Sequence, residues 1–399
     1  MKTIVFVRPR PAIRIYKLAK ALRQSDQKYR LVLICRTLSF DEKLYRDLFD
    51  KIYFYSPEFK FNKQFDLSFN KRWNKQLKFG YRKIMKIINE INPDIIHTMA
   101  EPFDFIAYIL KLSKWPVILD AYDYTGITAG LENLNDKTKH EEKYCLENAD
   151  GIIHKGPDYE IDYYRQHGYA ITCPELNWLD YCDEDIWVNT KQKKLSKSDG
   201  EHHLVYTGGV SNNPELKYIY FIPLAKELAK QKIHFHIYPK FAEHRFSYEK
   251  SKVYIDLAKN EKYFHFHRTL PLNDLIKEIS KYDWGLWVHS ADVSKRTHSE
   301  KAKTGSGNKI FTYLEAGLPM IVSTSRVYGK KIIEENKIGI SIDDSDWNKF
   351  DKLIQSEDYD QLHKNVLNVR EELSLHRQVS RLSSFYDLIL ENYKNRRSN

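Results

Sequence analysis

In this 399-residue chain, the residue types best placed to do chemistry lie in Thr304–Ser323, TGSGNKIFTYLEAGLPMIVS. Gly305, Ser306 and Gly307 let backbone N–H groups approach a ligand, and Asn308 is a good N-cap for a helix beginning at Lys309. Gly317, with Pro319 beyond it, is the expected stop. A glycine-rich loop entering a helix attracts anions because free N–H groups and the positive dipole end point the same way. The dipole contributes only ~0.3–1 kcal/mol, so a full cation is needed, and Lys309 supplies one. An ordinary capped helix with a solvated lysine has the same pattern. Arg8, Arg10 and Arg14 follow the first apolar run as RPRPAIR, and guanidinium groups there suit a carboxylate or phosphate. The loop His289–Lys303 (HSADVSKRTHSEKAK) carries Lys295, Arg296, Lys301 and Lys303 beside the glycine-rich segment, as further anion contacts or as a solvated surface loop. His, Cys and acidic residues show no metal-ligand spacing, and Asp343-Asp344-Ser345-Asp346 reads as a turn after a strand.

These residues need elements to hold them. Short Val-, Ile- and Leu-rich runs at Thr3–Val7, Arg30–Cys35, Lys51–Tyr55, Asp94–Met99, Pro116–Asp120 and Gly151–His154 alternate with helical periodicity, including a long stretch at Asn70–Ile91. A second series runs through His203–Thr207, Ile233–Tyr238, Tyr263–His267, Trp284–Val288, Pro319–Ser323 and Ile338–Ile342. Near-continuous apolar strands separated by helices imply parallel sheets covered on both faces. The expected fold is therefore α/β, with two doubly wound Rossmann-like domains facing a central cleft. The expected boundaries are 1–187 for the first domain, 188–201 for a polar, lysine-rich linker, 202–358 for the second domain and 359–399 for a terminal helix packing back across the seam. Ligands of such sheets sit at loops following the strands.

Composition narrows the classes. Hydrophobic residues make up 42% and charged residues 30%, mean hydropathy is -0.60, and no run approaches the ~18 apolar residues of a spanning helix. Four cysteines form neither a disulfide framework nor a C-x-x-C pair, so a reducing cytoplasm is expected. A net charge of +10 points to an anionic partner, and no nucleic-acid recognition motif accompanies it. Lys71–Lys86 holds seven basic residues and no acid, with Trp73, Phe79 and Tyr81 between them. That is either a face for an anionic membrane or a core helix with solvated lysines.

NKIFTYLEAGLPMIVS resembles the nucleotide-binding helix of GT-B glycosyltransferases, in the large retaining bacterial family whose usual form is N-K-x-x-E-Y-x-x-x-G-x-P-V-I. NPDIIH from Asn92, PVILDAYD from Pro116, ADGII from Ala149, VYTGG from Val205 and YDWGL from Tyr282 are similar to further family segments in the same order. The resemblance implies that the second domain binds a nucleotide-diphosphate sugar, the donor, and the first an acceptor. The implied donor-binding residues are Gly208, Gly209, Arg268, Gly307, Asn308, Lys309, Thr312 and Glu315. Thr312 stands where the family has its ribose-binding carboxylate, so Glu315, one turn on, is the substitute or a surface residue. Lys240, Arg268 or the 289–303 loop takes the part of a second cation that the family carries after the glycine turn.

Tyr122 replaces the family's His near the reacting sugar. Asp123 is therefore the first catalytic candidate, with Asp120 and Glu101 beside it, while His97 is expected to be a satisfied residue of its strand. Arg8, Arg10 and Arg14 are expected on the acceptor side, for an anionic glycan or a lipid-linked pyrophosphate sugar. The implied activity is metal-independent, retaining sugar transfer without a cofactor, in bacterial surface polysaccharide or glycoconjugate synthesis. It is placed in the cytoplasm or at the inner face of the plasma membrane. The alternatives are a sugar-nucleotide epimerase of the same fold and a non-catalytic nucleotide-sugar-binding partner subunit.

Overall fold

The computed structural model describes all residues except 39–41, 56–69, 101–102, 190–191, 217–218, 240–247, 249–250, 290–302 and 399, and only the backbone of 70–79. The chain divides into two units, Met1–Asp180 with Leu375–Asn399, and Tyr181–Ser374.

The first unit is built on seven parallel strands: β1 (Lys2–Val7), β2 (Tyr29–Cys35), β3 (Lys51–Phe54), β4 (Ile95–Met99), β5 (Val117–Ala121), β6 (Gly151–His154) and β7 (Glu175–Asn177). They lie in the order β3-β2-β1-β4-β5-β6-β7, so the direction of winding reverses between β1 and β4. Phe6 pairs in register with Leu33 on one side and His97 on the other. Val5, Ile34, Ile96 and Leu119 pack with Ile84 and Ile88 of the Asn70–Ile91 helix and with Phe105 and Ile109 of the next one. β7 is the one strand of this sheet absent from the sequence reading. Its three half-buried residues carry too little apolar signal to read as a strand.

The second unit has six parallel strands: β8 (His203–Gly208), β9 (His234–Pro239), β10 (Phe264–Phe266), β11 (Trp284–Trp287), β12 (Met320–Ser323) and β13 (Gly339–Ile342). Their order, β10-β9-β8-β11-β12-β13, reverses between β8 and β11. Both units are thus doubly wound Rossmann-like domains, as expected.

The partition along the chain differs from the expected one. The described residues of the polar stretch 188–201 are not a free tether but lie on the second unit. Val188 N–H donates to Glu315 O (3.0 Å), Leu195 N–H to Lys281 O (2.9 Å) and Lys194 Nζ to Tyr282 O (2.7 Å). Composition marks such a strap as polar, but its hydrogen bonds are to the backbone and leave no sequence signal. The region 359–399 is two helices, Tyr359–Glu372 in the second unit and Leu375–Ser398 in the first, where it packs on the Ile13–Arg23 helix. Phe385 and Ile389 press on Gly151, where a Cβ would lie 2.9 and 2.5 Å from them. Cys182 N–H donates to Leu373 O (2.8 Å), so the two points at which the chain enters and leaves the second unit lie side by side.

In the described part of the Asn70–Ile91 helix, Tyr81, Ile84, Met85, Ile87 and Ile88 face the core while Arg82, Lys83 and Lys86 face water. From Gly80 on, the apolar face is therefore committed to the core; the side chains of 71–79 lie outside the described residues. Among the described residues no helix is long and apolar enough to cross a membrane.

Candidate functional site

In the second unit, β8 ends in the Gly208-Gly209 turn where the winding reverses, the place at which open α/β sheets bind ligands. Gly208 has φ +140°, a conformation L side chains rarely adopt, and a Cβ there would lie 3.0 Å from Lys309 Nζ. The missing side chain is what lets the ammonium lie against the turn. Lys309 Nζ also stands 5.0 Å above the ring centre of Tyr206.

Lys309 is carried by the helix Asn308–Glu315, and Tyr313, one turn further on, holds that helix to the sheet. Its hydroxyl lies 2.9 Å from Leu286 O and 3.2 Å from Val205 O, and accepts from Thr207 N–H at 3.2 Å. Gly285 makes room for the ring, since a Cβ there would be 2.4 Å from Tyr313 Cγ. One tyrosine thus bridges β8 and β11 beneath the glycine turn. Asn308 is the first helical residue rather than the expected cap. Gly307 occupies the cap position at φ +62°, with no side-chain cap bond. Gly307 is needed there because Trp287 fills the space of a Cβ, its ring 2.4 Å away.

Sequence reading passed over two groups here. Arg326, just beyond β12, lays its guanidinium 4.7 Å from the Trp287 ring centre, and burial lowers its pKa to about 10, against the opposing pull of Tyr206 and Asp344. His289, at the end of the β11 run, is buried, and burial, then Arg326 and Lys309, push its pKa down to about 3. His289 Nδ1, Thr304 Oγ1 and Ser306 Oγ are buried with no hydrogen-bond partner among the described residues. Lys309 and Arg326, which both act on His289, and the helix start at Asn308 are groups that a bound anion would stabilise, since it would recover the desolvation cost of the cations. The available signal for Arg326 was its position just past a parallel strand; it lacked a motif to mark it.

The other expected donor residues fall elsewhere. Glu315 is buried, and its Oε1 accepts from Asp183 N–H (2.9 Å), so it anchors the segment after 181 and is not offered to a ribose. Thr312 directs its hydroxyl to Asn308 O (3.2 Å). Arg268, exposed beyond β10, stacks on Tyr248 at 4.6 Å, and β10 is the edge strand of the sheet, two strands from β8. Lys240 and most of the 289–303 loop, including Lys295, Arg296 and Lys301, lie outside the described residues. Asp343 forms the expected turn, accepting from Ser345 N–H at 2.9 Å.

In the first unit the expected acceptor arginines separate. Arg14 is buried, its Nε 2.8 and 2.7 Å from the two Asp120 oxygens and its Nη1 2.8 Å from Trp178 O and 3.2 Å from Asp180 Oδ1. Burial disfavours the Arg14 charge, but Asp120 and Asp180 outweigh it and raise its pKa. Burial would raise Asp120, yet Arg14 and His97 hold it below the usual carboxylate range. This corrects two expectations: Arg14 and Asp120 face each other inside the unit, where neither can meet a substrate. His97 is a buried strand residue as expected, its Nδ1 2.6 Å from Tyr386 Oη.

Arg8 and Arg10 remain at the carboxyl end of β1, where Arg8 Nε donates to Arg10 O (2.8 Å). Asp123, partly exposed after β5, stands with its Oδ1 3.9 Å from the ammonium of Lys155. Lys155 is buried beyond β6 and rests 3.4 Å over the Tyr122 ring. Lys155 also escaped sequence reading. Glu101 lies outside the described residues.

Residues 235–379 match the family model described as "Glucosyltransferase 3-like, C-terminal domain". No curated protein matches the chain by sequence. Among solved structures the chain is similar to sucrose-phosphate synthase from Thermosynechococcus elongatus, at TM-score 0.70 and 12% identity over 98% of this chain and 100% of that one. It is similar to Anabaena HepE in complex with UDP-glucose, at TM-score 0.66 and 11% identity over 99% and 100%. A glycosyltransferase from Rickettsia africae matches at TM-score 0.63 and 14% identity over 98% and 99%. The fold is GT-B, and the resemblance to GT-B glycosyltransferases read from the sequence motifs is borne out to that extent.

Proposed function

We propose that the protein transfers a sugar from a nucleoside-diphosphate sugar to an acceptor hydroxyl. The observation that carries this reading is the ammonium of Lys309 lying against the φ +140° turn at Gly208, where the winding of a Rossmann-like sheet reverses. Uridine is the first nucleotide to test, because HepE, a protein of the same fold, has been solved with UDP-glucose and with UDP.

Transfer asks little covalent chemistry of the protein. The leaving diphosphate must be stabilised and the acceptor oxygen placed against the anomeric carbon. Lys309, Arg326 and the start of the Asn308–Glu315 helix would take the growing diphosphate charge. With two cations in that role, a metal ion is not required for the leaving group. Asp123, its carboxylate set by Lys155, would orient the acceptor hydroxyl and receive its proton late. Arg8 and Arg10 would hold an anionic acceptor, a glycan or a lipid-linked pyrophosphate sugar, as in the synthesis of bacterial surface glycoconjugates. The anomeric outcome, retention by family resemblance, would be read by NMR of the product.

The test is calorimetric or thermal-shift titration with UDP, GDP, CMP and dTDP sugars, followed by product analysis with the donor that stabilises. Lys309→Ala should weaken that donor ~10- to 150-fold, for ~1.5–3 kcal/mol of charge-assisted bonding, with an unchanged melting temperature in its absence. Unaltered donor affinity in that variant would refute the proposed site. A second reading, a nucleotide-sugar-binding subunit without transfer, is favoured by Thr312 and the inward-turned Glu315. Donor binding without transfer or hydrolysis would select it.

A further inference from the structure

From the amino ends of β8 and β9, opposite to the Gly208 turn, across to β10, five histidines share one face of the sheet. His203 lies on β8, His234 and His236 on β9, and His265 and His267 on and just beyond β10. His203 stacks on His234 (centroids 4.4 Å, planes 7° apart) and His236 on His265 (4.2 Å, 12°). Two hydrogen-bonded chains run through them. One is Asp199 Oδ2 to His203 Nε2 (2.9 Å), His203 Nδ1 to His236 Nε2 (2.9 Å) and His236 Nδ1 to His267 Nε2 (3.0 Å). The other is Glu201 Oε2 to His234 Nε2 (2.7 Å) and His234 Nδ1 to His265 Nε2 (2.8 Å). Nothing in sugar transfer uses this array. Apolar side chains would fill a half-buried sheet face at lower desolvation cost.

We propose that Asp199, Glu201, His203 and His234 form a binding site for a divalent ion of the zinc class. The donor set is mixed N and O, as such ions prefer. With bonds of about 2.0–2.1 Å, neighbouring donors of a tetrahedral site lie about 3.3–3.4 Å apart. Here Asp199 Oδ2 is 2.9 Å from His203 Nε2 and 4.0 Å from His234 Nε2, and Glu201 Oε2 is 2.7 Å from His234 Nε2. The ligand atoms of Asp199, His203 and His234 already lie within 4.8 Å of one another; rotation of the Glu201 side chain toward them would add the fourth donor, with the stacked rings opening from their present 7°. Asp199 is exposed, so an ion can enter from solvent.

The outer layer supports the assignment. A ligating imidazole needs an acceptor for its other ring N–H, and His236 Nε2 and His265 Nε2 are placed to be those acceptors. Binding therefore moves each ring proton from one nitrogen to the other along the two chains, with no change in their number. Tyr263 Oη donates to Glu201 Oε1 (3.0 Å), leaving Oε2 toward His234. Lys262 Nζ, 3.4 Å from that oxygen, is the cation to be displaced. The site lies about 17 Å from the Gly208 turn at ~3.3 Å per residue along β8. Its role is to tie the strap ahead of β8 to β8 and β9, apart from sugar chemistry.

The test is titration of untagged, chelator-stripped full-length protein with Co²⁺, read by its visible d–d absorption, with Zn²⁺ as competitor. One equivalent should give a saturable four-coordinate band that Zn²⁺ abolishes, and Zn²⁺ should raise the melting temperature. Asp199→Asn with Glu201→Gln alters residues at the rim, and circular dichroism would confirm that this variant folds. It should bind Co²⁺ at least tenfold more weakly and lose the thermal shift. A wild-type protein with no saturable band would overturn the proposal. So would a band of equal affinity in the double variant, because the ion would then sit elsewhere. The readout is independent of nucleotide binding, so its failure leaves the sugar-transfer reading untouched.

Discussion

At the scale of single residues, charge has been sorted by burial. Arg14 and Asp120 are both basic or acidic residues near strand ends in the sequence, yet they neutralise each other in the interior, while Arg8, Lys155, Lys309 and Arg326 stand at strand carboxyl ends. Removing one partner of a buried pair strands the other charge, so Asp120→Ala should cost ~3–5 kcal/mol of stability in denaturant unfolding. Arg8→Ala and Arg10→Ala should instead raise the acceptor KM more than the donor KM at unchanged melting temperature. Equal effects on both constants would place them outside the acceptor site. His97 is also buried, and burial, opposed by Asp120, lowers its pKa below 6.5. The unfolded chain then binds the extra proton first, so this stability is full above pH ~6.5 and is lost as pH falls below it. Asp120, depressed below 3.8, adds loss only in stronger acid. His97→Gln should flatten the acid limb below pH 6.5 by up to ~1.4 kcal/mol per pH unit in urea titrations at stepped pH.

At the scale of elements, the apolar runs, the Asn70–Ile91 helix and the Gly317 stop were legible because each is written in local periodicity or in a backbone conformation that only certain residues tolerate. Twelve of the thirteen strands among the described residues fall within a residue or two of the expected runs. What positions Lys309 was not legible. Tyr313 bonds to strands more than twenty residues away, and Gly285 matters only because that ring lies against it. Gly285→Ala must push the ring or the strand aside, an overpacking cost of ~1–3 kcal/mol. It should lower both the melting temperature and donor affinity although residue 285 touches no ligand. A variant with normal donor affinity would show that the helix is positioned by other contacts.

At the scale of the whole molecule, +10 is a sum over local arrangements and carries no single partner. The chain leaves the first unit after Asp180 and returns at Leu375, so the terminal helix completes a domain begun some 375 residues earlier. Leu382, Tyr386 and Ile389 are buried in it, and Lys2 pairs with Asp387. Truncation after Ser374 should therefore unfold the first unit. Residues 181–374 alone should remain folded by circular dichroism and keep a donor-dependent thermal shift. Loss of structure in both halves would mean that the second unit leans on the first.

By itself the sequence determined the class of the molecule: two wound sheets, the glycine turns, the lysine at a helix start and the family they resemble. Those features are local, since periodicity, φ preference and motif spacing act within about twenty residues. Tertiary structure decided which charges face a ligand and which face each other, why Glu315 turns inward, where Arg326 and Lys155 stand, and that five scattered histidines form one array. The physical reason is that desolvation and pairing depend on what lies across a strand or beneath a helix, and strand order sets that, not distance along the chain.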